Sequence, residues 1–290
     1  MNITGETRVL GIIGNPVRHT MSPMIHNTIS ERTGRNMVYL PFEVEEGITE
    51  AVKGAYALGI AGMNVTVPYK EQVIEALCEV EELAASIGAV NTLVRTPKGF
   101  KGYNTDILGL MRELKEEDID VKGRDCVLLG AGGAARAAAF LCAKLEAGSI
   151  TIANRTVEKA ERILEDVKEY VSKEHRTDMK LSAVELSKAA ELDVQDCLVI
   201  QCTKVGLYPK TEEVVVEDTA FYTKVAYGVD LIYKPFETKF MQLVKEHGGV
   251  AYNGLKMLLY QGIEAYELWN ETKISDEIIA ELYKLLKECP

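Results

Sequence analysis

The sequence lacks an apolar run of about 18 residues, so no segment is long enough to cross a membrane as a helix. Its opening stretch, "MNITGETRVLGIIGNP", lacks a basic region leading into a long apolar one, so no secretory leader is expected. None of the six cysteines (Cys78, Cys126, Cys142, Cys197, Cys202 and Cys289) belongs to a CxxC pair. Cys126 and Cys197 fall in apolar strand-like runs, where cysteine acts as a small hydrophobe. A reducing, cytoplasmic setting is expected. The four histidines, His19, His26, His175 and His247, show no ligand spacing, so no metal site is expected. Bases are also scarce: 33 lysines and arginines face 44 acids, for a net charge of -11. That field repels nucleic acid and anionic membranes, and neither is expected as a partner. A small anionic substrate held by a few local bases remains compatible with it.

What the sequence does contain is alternation. The chain has 290 residues, 47% of them hydrophobic and 27% charged, an ordinary globular composition at a length that favours two domains. "VLGIIG" (9–14), "MVYLPFEV" (37–44) and "AGMNVTV" (61–67) alternate with helical patterns at 24–34 and 48–59. A second series runs "CVLLG" (126–130), "SITIANR" (149–155), "CLVIQCT" (197–203) and "YGVDLIY" (227–233). Continuous apolar runs between amphipathic helices predict an α/β protein with mostly parallel sheets covered on both faces. The charged stretch "KEEDIDVKGRD" (115–125) separates the two series. Trp269, the one tryptophan, lies in a helical pattern and is expected in the core.

The clearest chemical signal is "CVLLGAGGAARAAAFLCAKLEAG" (126–148). A strand enters Gly130-Ala131-Gly132-Gly133-Ala134-Ala135 and leaves as an alanine-rich helix, matching G-x-G-x-x-A in its required context. Gly130 permits the tight turn, Gly132 lets the backbone approach a pyrophosphate, and Ala135 allows close helix packing. The helix N-terminus offers free N–H groups and partial positive charge to phosphates. The next strand ends on Asn154-Arg155-Thr156, where an NAD site usually carries an acid for the ribose hydroxyl. Arginine forks onto a 2′-phosphate and threonine donates a hydroxyl, so NADP is expected, with NAD as the alternative.

Residues 1–106 are then the candidate substrate lobe. Their segment ends are rich in hydroxyls and amides: Thr20 and Ser22, Asn64 and Thr66, Asn91, and Asn104, Thr105 and Asp106. Such groups gathered at the carboxyl ends of parallel strands suit a polyhydroxylated ring. Each also has an ordinary reading. Ser22-Pro23 reads equally as a helix N-cap with proline at the first position, Asn91 as a turn residue and Asp106 as a cap. Lys70 follows Pro68 at the end of "NVTVPYK", where the chain leaves the strand. Alone, it reads most simply as a solvated surface base.

Taken together, "HTMSP", "NVTVPYK", "GAVNTL", "GYNTD", "GAGGAARA", "NRT", "TKVGL", "DLIYKPFET" and "GLKMLLYQG" resemble the shikimate dehydrogenase family over nearly the whole chain and in family order. The resemblance implies NADPH-dependent, reversible reduction of 3-dehydroshikimate to shikimate in aromatic amino acid biosynthesis. It matches Lys70 and Asp106 to the catalytic pair, and Thr20 and Ser22 to the hydroxyls holding the substrate carboxylate. Thr66, Asn91 and Gln261 match residues at the ring hydroxyls, and Tyr233 the tyrosine near the carboxylate. Gly130, Ala131, Gly132, Gly133, Ala134 and the residues up to Arg136 match the cofactor site, as do Asn154, Arg155, Thr156, Thr203 and Gly254. It also implies a substrate domain of residues 1–106 plus 254–290, a Rossmann domain of residues 107–253, and a monomer or homodimer. The sequence departs from the family pattern at Thr20, usually serine, whose methyl tightens the pocket, and at Ile107, usually glycine. "TKVGL" also resembles the quinate/shikimate dehydrogenase branch, which uses NAD or NADP.

Ketone reduction needs a hydride on carbon and a proton at oxygen. With no histidine or metal in the motif set, Lys70 paired with Asp106 is the expected group at that oxygen, acting by orientation and charge stabilisation. A dehydrogenase of the methylenetetrahydrofolate type is disfavoured by the hydroxyl-rich set, which suits a small polyol acid. A non-catalytic, nucleotide-sensing relative has no use for Lys70 or Asp106, and both are present.

Overall fold

The computed structural model describes residues 3–174 and 178–289, so His175 lies outside the described residues. Contacts divide the chain into two compact units, Met1–Gly109 with Leu258–Pro290, and Leu110–Met257. The first unit opens with β1 (Arg8–Gly14), α1 (Ser22–Arg32), β2 (Met37–Glu43), α2 (Ile48–Ala57) and β3 (Gly62–Val65). It continues with β4 (Glu79–Val80), α3 (Glu82–Ile87), β5 (Thr92–Thr96), β6 (Gly99–Tyr103) and α4 (Thr105–Glu116), the helix in which the chain passes to the second unit. There follow β7 (Asp125–Leu129), α5 (Gly133–Lys144), β8 (Ser149–Asn154), α6 (Val157–Lys173) and β9 (Lys180–Glu185). Then come β10 (Cys197–Gln201), β11 (Val225–Asp230), α7 (Lys239–Glu246) and β12 (Val250–Asn253). The chain returns to the first unit within α8 (Leu255–Asn270) and ends in α9 (Asp276–Glu288).

The second unit's six-stranded sheet has the order β12-β11-β10-β7-β8-β9, every pair parallel. This is the doubly wound order, with its switch point between β7 and β10. Those two central strands are buried on both faces from Cys126 to Leu129 and from Cys197 to Ile200, which explains their unbroken apolar runs. α6 buries Ala160, Ile163, Leu164, Val167 and Val171, the stripe expected of a helix lying on a sheet. Its first turn follows directly on the Asn154-Arg155-Thr156 stretch. Five alanines of α5 (Ala135, Ala137, Ala138, Ala139 and Ala143) are buried, and their small side chains let that helix approach the sheet closely.

The first sheet, ordered β2-β1-β3-β5-β6-β4, is mostly parallel, as the βαβ reading anticipated, with one strand reversed. β1 pairs in parallel with β2 and β3, but β5 runs antiparallel to both β3 and β6. The physical reason is the short link between β5 and β6: a two-residue connection closes a hairpin, whereas a parallel crossover needs a dozen residues or more. Trp269 of α8 is buried against this sheet, as its pattern anticipated. Its indole N–H donates to the Leu93 carbonyl at 2.9 Å, and a side chain at Gly62 would collide with its ring.

One buried group works against this packing. Glu113 of α4 is only 1% exposed, and neither carboxylate oxygen has a hydrogen-bond partner. Burial pushes it up to about 8; the Lys256 ammonium opposes this, Glu117 and Glu116 reinforce it, and the nearby Met257 N–H falls short of hydrogen-bond geometry. A carboxyl raised in the folded state contributes its full stability below its unfolded value near 4.5 and loses it as pH rises through about 8. Glu113→Gln is therefore expected to leave thermal stability near wild type at pH 5 and to raise it by about 2–4 kcal/mol at pH 9. Thermal melts at the two pH values check this; an equal change at both would refute it.

Candidate active site

Strand direction alone brings the polar positions of the first unit to one edge of its sheet. β1, β3 and β6 run toward that edge, and antiparallel β5 starts there. The edge therefore collects the residues after β1, Thr66 after β3, Asn91 just before β5, and Asn104-Thr105-Asp106 after β6. Backbone hydrogen bonds tie these segments together. The Asn15 N–H donates to the Val67 carbonyl at 3.0 Å, and the Val65 N–H donates to the Asn91 carbonyl at 2.8 Å. Gly14 is required here, because a side chain on it would overlap Thr66 Cγ2, 2.3 Å from its β position.

Lys70 is not a solvated surface base. The preceding Tyr69 is buried, and its hydroxyl donates to the Val44 carbonyl at 2.6 Å. The Lys70 carbonyl accepts the Val90 N–H at 2.8 Å. With its backbone held on both sides, Lys70 directs Nζ onto Asp106 Oδ2 at 2.7 Å. Both side chains are partly exposed, at 31% and 21%, so the pair is open on one side to an incoming molecule. Asp106 does not cap α4. It lies in the first turn, and Asn104 takes the capping role, with Oδ1 accepting the Ile107 N–H at 3.3 Å. The Asn104 amide also donates to the Ala89 carbonyl at 3.0 Å, which anchors the helix entry. Ile107 is buried, so its side chain packs inward beside Asp106 and leaves the carboxylate free to meet Lys70.

Ser22 is likewise not an N-cap. It is the first residue of α1, and no side chain caps that helix. The Thr20 hydroxyl donates to Ser22 Oγ at 3.1 Å, and the Ser22 N–H donates to Thr20 Oγ1 at 3.3 Å. Two hydroxyls thus stand together at an uncapped helix N-terminus, a setting that favours an anion. Gln261 lies on α8, with its amide donating to the Leu258 carbonyl at 2.9 Å. Neighbouring Gly262 packs on Ile25 and His26 of α1, which fixes α8 against that helix. Asn91 is buried, and its Oδ1 accepts the Thr105 N–H at 2.7 Å; it forms part of the site edge and no simple turn.

The remaining anticipated residues belong to the second unit. Gly130 adopts φ 104° directly after β7, and a side chain there would come within 2.8 Å of Thr203 Cγ2, in the loop after β10. Gly130 and Thr203 therefore face each other across the switch point, where open α/β sheets bind ligands. Gly132, Gly133 and Ala134 are exposed, the N-terminus of α5 has no side-chain cap, and side chains built on either glycine would enter open space. This arrangement fits a pyrophosphate. Arg136 is engaged elsewhere, paired with Asp166 at 2.5 Å and lying over Phe140. Arg155 and Thr156 are exposed after β8, and the Asn154 amide donates to the Thr156 carbonyl at 2.8 Å, shaping the turn that presents them. Gly254 has a packing role: a side chain there would meet the Leu231 carbonyl at 2.4 Å.

Tyr233 lies in the loop between β11 and α7. Asp230 organises the start of that loop: Oδ1 accepts the Ile232 N–H at 3.0 Å and the Gln201 amide at 3.2 Å, and Oδ2 accepts the Thr238 hydroxyl at 2.6 Å. Burial raises Asp230 to about 6, against these three donors. Two residues that sequence reasoning did not single out also lie within hydrogen-bonding reach of the site edge, Thr92 and Tyr39. Their strand-like contexts gave no sign of it. Among the described residues, no group of three His, Cys, Asp or Glu is arranged to hold a metal ion, and no helix is long and apolar enough to cross a membrane.

The chain is similar to known proteins over nearly its whole length. Residues 12–93 match the family model described as the shikimate dehydrogenase substrate binding domain, and residues 113–195 match that of shikimate / quinate 5-dehydrogenase. The shikimate dehydrogenase (NADP(+)) of Carboxydothermus hydrogenoformans is 41% identical over 277 residues, covering 93% of this chain and 94% of that protein. A crystal structure of a shikimate dehydrogenase in complex with NADP+ superposes with a TM-score of 0.87 at 38% identity, covering 98% of this chain and 96% of the other. That of the Listeria monocytogenes shikimate 5-dehydrogenase, in complex with shikimate and NAD, gives 0.87 at 31% identity, covering 97% and 98%.

Proposed function

The chain belongs to the shikimate dehydrogenase family, and from that membership we infer that it catalyses the reversible, NADP-dependent conversion of shikimate to 3-dehydroshikimate, a step of aromatic amino acid biosynthesis. The observation that carries this reading is the 2.7 Å pair of Lys70 and Asp106, held at the edge of the first sheet beside a cluster of hydroxyl and amide groups. The first unit is the substrate-binding domain in this reading and the second the cofactor domain.

Thr20 and Ser22, at the N-terminus of α1, bind the substrate carboxylate. Thr66, Asn91 and Gln261 meet the ring hydroxyls, and Tyr233 belongs with the carboxylate end. Gly130, Ala131, Gly132, Gly133 and Ala134 hold the pyrophosphate through backbone N–H groups. Asn154, Arg155 and Thr156 bind the 2′-phosphate, and Thr203 lines the switch point. When bound, the nicotinamide cofactor supplies hydride transfer to or from the reacting carbon. The chain's own residues manage the oxygen. As the C–O–H group becomes C=O, the Lys70–Asp106 pair takes the hydroxyl proton and the ammonium stabilises negative charge at that oxygen; in reduction the same pair returns the proton. The six cysteines are free in the structure, which fits a reducing cytoplasm.

The test is to follow absorbance at 340 nm with NADP+ and shikimate, quinate or no substrate, and to repeat each with NAD+. Rapid reduction of NADP+ with shikimate is expected. A faster reaction with quinate and NAD+ would favour the quinate/shikimate branch, and no turnover with any pair would favour a nucleotide-sensing relative.

A further inference from the structure

Asn91 Oδ1 accepts more hydrogen bonds than a turn or a simple ligand contact requires. Besides the Thr105 N–H at 2.7 Å, it lies 3.1 Å from Thr105 Oγ1 and 3.1 Å from Thr92 Oγ1. The two threonine hydroxyls lie 2.9 Å apart, and both residues are fully buried. Behind them stands Asn64, whose Nδ2 donates to Thr92 Oγ1 at 3.0 Å and to the Asn91 carbonyl at 3.1 Å. Asn64 Oδ1 in turn accepts the Tyr39 hydroxyl at 2.7 Å. The directions are fixed at both ends by backbone groups. A backbone N–H on Asn91 Oδ1 identifies that atom as the oxygen, and a backbone carbonyl on Asn64 Nδ2 identifies that atom as the nitrogen.

Only one consistent direction of donation follows. Tyr39 donates to Asn64, Asn64 to Thr92, and the hydroxyl protons of Thr92 and Thr105 are left to run toward Asn91 Oδ1, directly or through each other. Tyr39 keeps its proton throughout, because burial raises it well above its ordinary value, with the Ser22 hydroxyl opposing. Its ring is stacked 4.2 Å from that of His26, and burial pushes His26 down to about 3, so the plate behind Tyr39 is uncharged. Among the described residues, every hydrogen bond to the Asn91 side chain falls on Oδ1, which leaves the two Nδ2 N–H donors for a ligand.

We propose that Thr92 and Thr105, backed by Asn64 and Tyr39, are positioning residues that lock the Asn91 side chain in one orientation, so that its two N–H donors, and never its oxygen, face the substrate. This inference rests on the proposed function for the identity of that substrate, a ring with hydroxyl acceptors. A free amide would present oxygen or nitrogen about equally, so a substrate oxygen would meet an N–H donor in only about half of the encounters. The same lock sets the start of α4, because Thr105 is the residue before Asp106; one network therefore orients a substrate donor and anchors the catalytic carboxylate.

Thr92→Val keeps the shape and removes the hydroxyl. It is expected to raise KM for shikimate about 3- to 10-fold with KM for NADP+ unchanged, and Thr92→Ser is expected to stay near wild type. In an Asn91→Ala background, Thr92→Val should add almost nothing, because the group it positions is gone. Tyr39→Phe, which deletes the first donor without touching the threonines, should behave the same way more weakly and serves if Thr92→Val does not fold. Equal effects in both backgrounds, or Thr92→Ser as impaired as Thr92→Val, would overturn the inference. A second readout needs no substrate. In NMR spectra of the free protein, the Asn91 side-chain amide pair (assigned by its loss in Asn91→Ala) should shift or broaden in Thr92→Val. An unmoved pair would defeat the lock, whereas a wild-type protein inert toward shikimate would defeat the proposed function alone.

Discussion

Lys70→Ala is expected to lower kcat for shikimate oxidation by about 10²–10⁴-fold while leaving KM for shikimate near the wild-type value. The loss falls on kcat because the ammonium acts most strongly where charge develops on the reacting oxygen, and the ground-state hydroxyl offers it little. Substrate binding survives because the carboxylate and ring contacts come from other elements: Thr20 and Ser22 at the start of α1, Thr66 after β3, Asn91 before β5. The backbone of Lys70 is held by its own carbonyl and by Tyr69, so truncating the side chain does not release the segment. Asp106→Asn should fall in the same direction, since it removes the charge that holds Nζ at 2.7 Å. Steady-state rates at saturating shikimate check both variants. A Lys70→Ala enzyme with kcat within threefold of wild type would remove Lys70 from the chemistry.

Arg155→Ala should raise KM for NADPH about 10- to 100-fold and change KM for NADH little. A charge-assisted, bidentate contact to a phosphate contributes about 1.5–3 kcal/mol, which is that factor. Arg155 is exposed after β8, on a turn that the Asn154 amide shapes from within. The α6 N-terminus beside it has no side-chain cap, so the Thr156 hydroxyl is not consumed by the helix. NADH lacks the 2′-phosphate and has nothing for the guanidinium to lose. Equal effects on the two cofactors would remove Arg155 from 2′-phosphate recognition.

The second unit was largely legible in the sequence because its strands are central and fully buried. β7 and β10 must be apolar along their whole length, and the glycine turn between β7 and α5 has no other physical use so specific. Edge strands gave much less. β9, "KLSAVE", is half exposed and carries charge at both ends, so it does not stand out from loop sequence. The β5–β6 hairpin is not legible, because the alternation of strands and helices points to parallel pairing and two five-residue strands carry too little pattern of their own. Thr92 and Tyr39 were invisible for a different reason. Threonine and tyrosine are ordinary strand residues, and their partners lie far away in sequence: 28 residues separate Thr92 from Asn64 and 25 separate Tyr39 from Asn64. Hydrogen-bond networks of that reach exist only once the chain has folded.

The route of the chain has a consequence for how the protein is made. Residues 110–257 form one uninterrupted compact unit and can fold as soon as they leave the ribosome. The first unit cannot, although most of it is translated earlier. Trp269, which fills the space over Gly62 and bonds to Leu93, arrives late. So does Asn270, which accepts from Arg8 at 3.0 Å, and so does Glu281, which pairs with Arg32 at 2.6 Å. During synthesis the nascent β1–β6 sheet therefore waits with an uncovered apolar face while the unit encoded after it is completed.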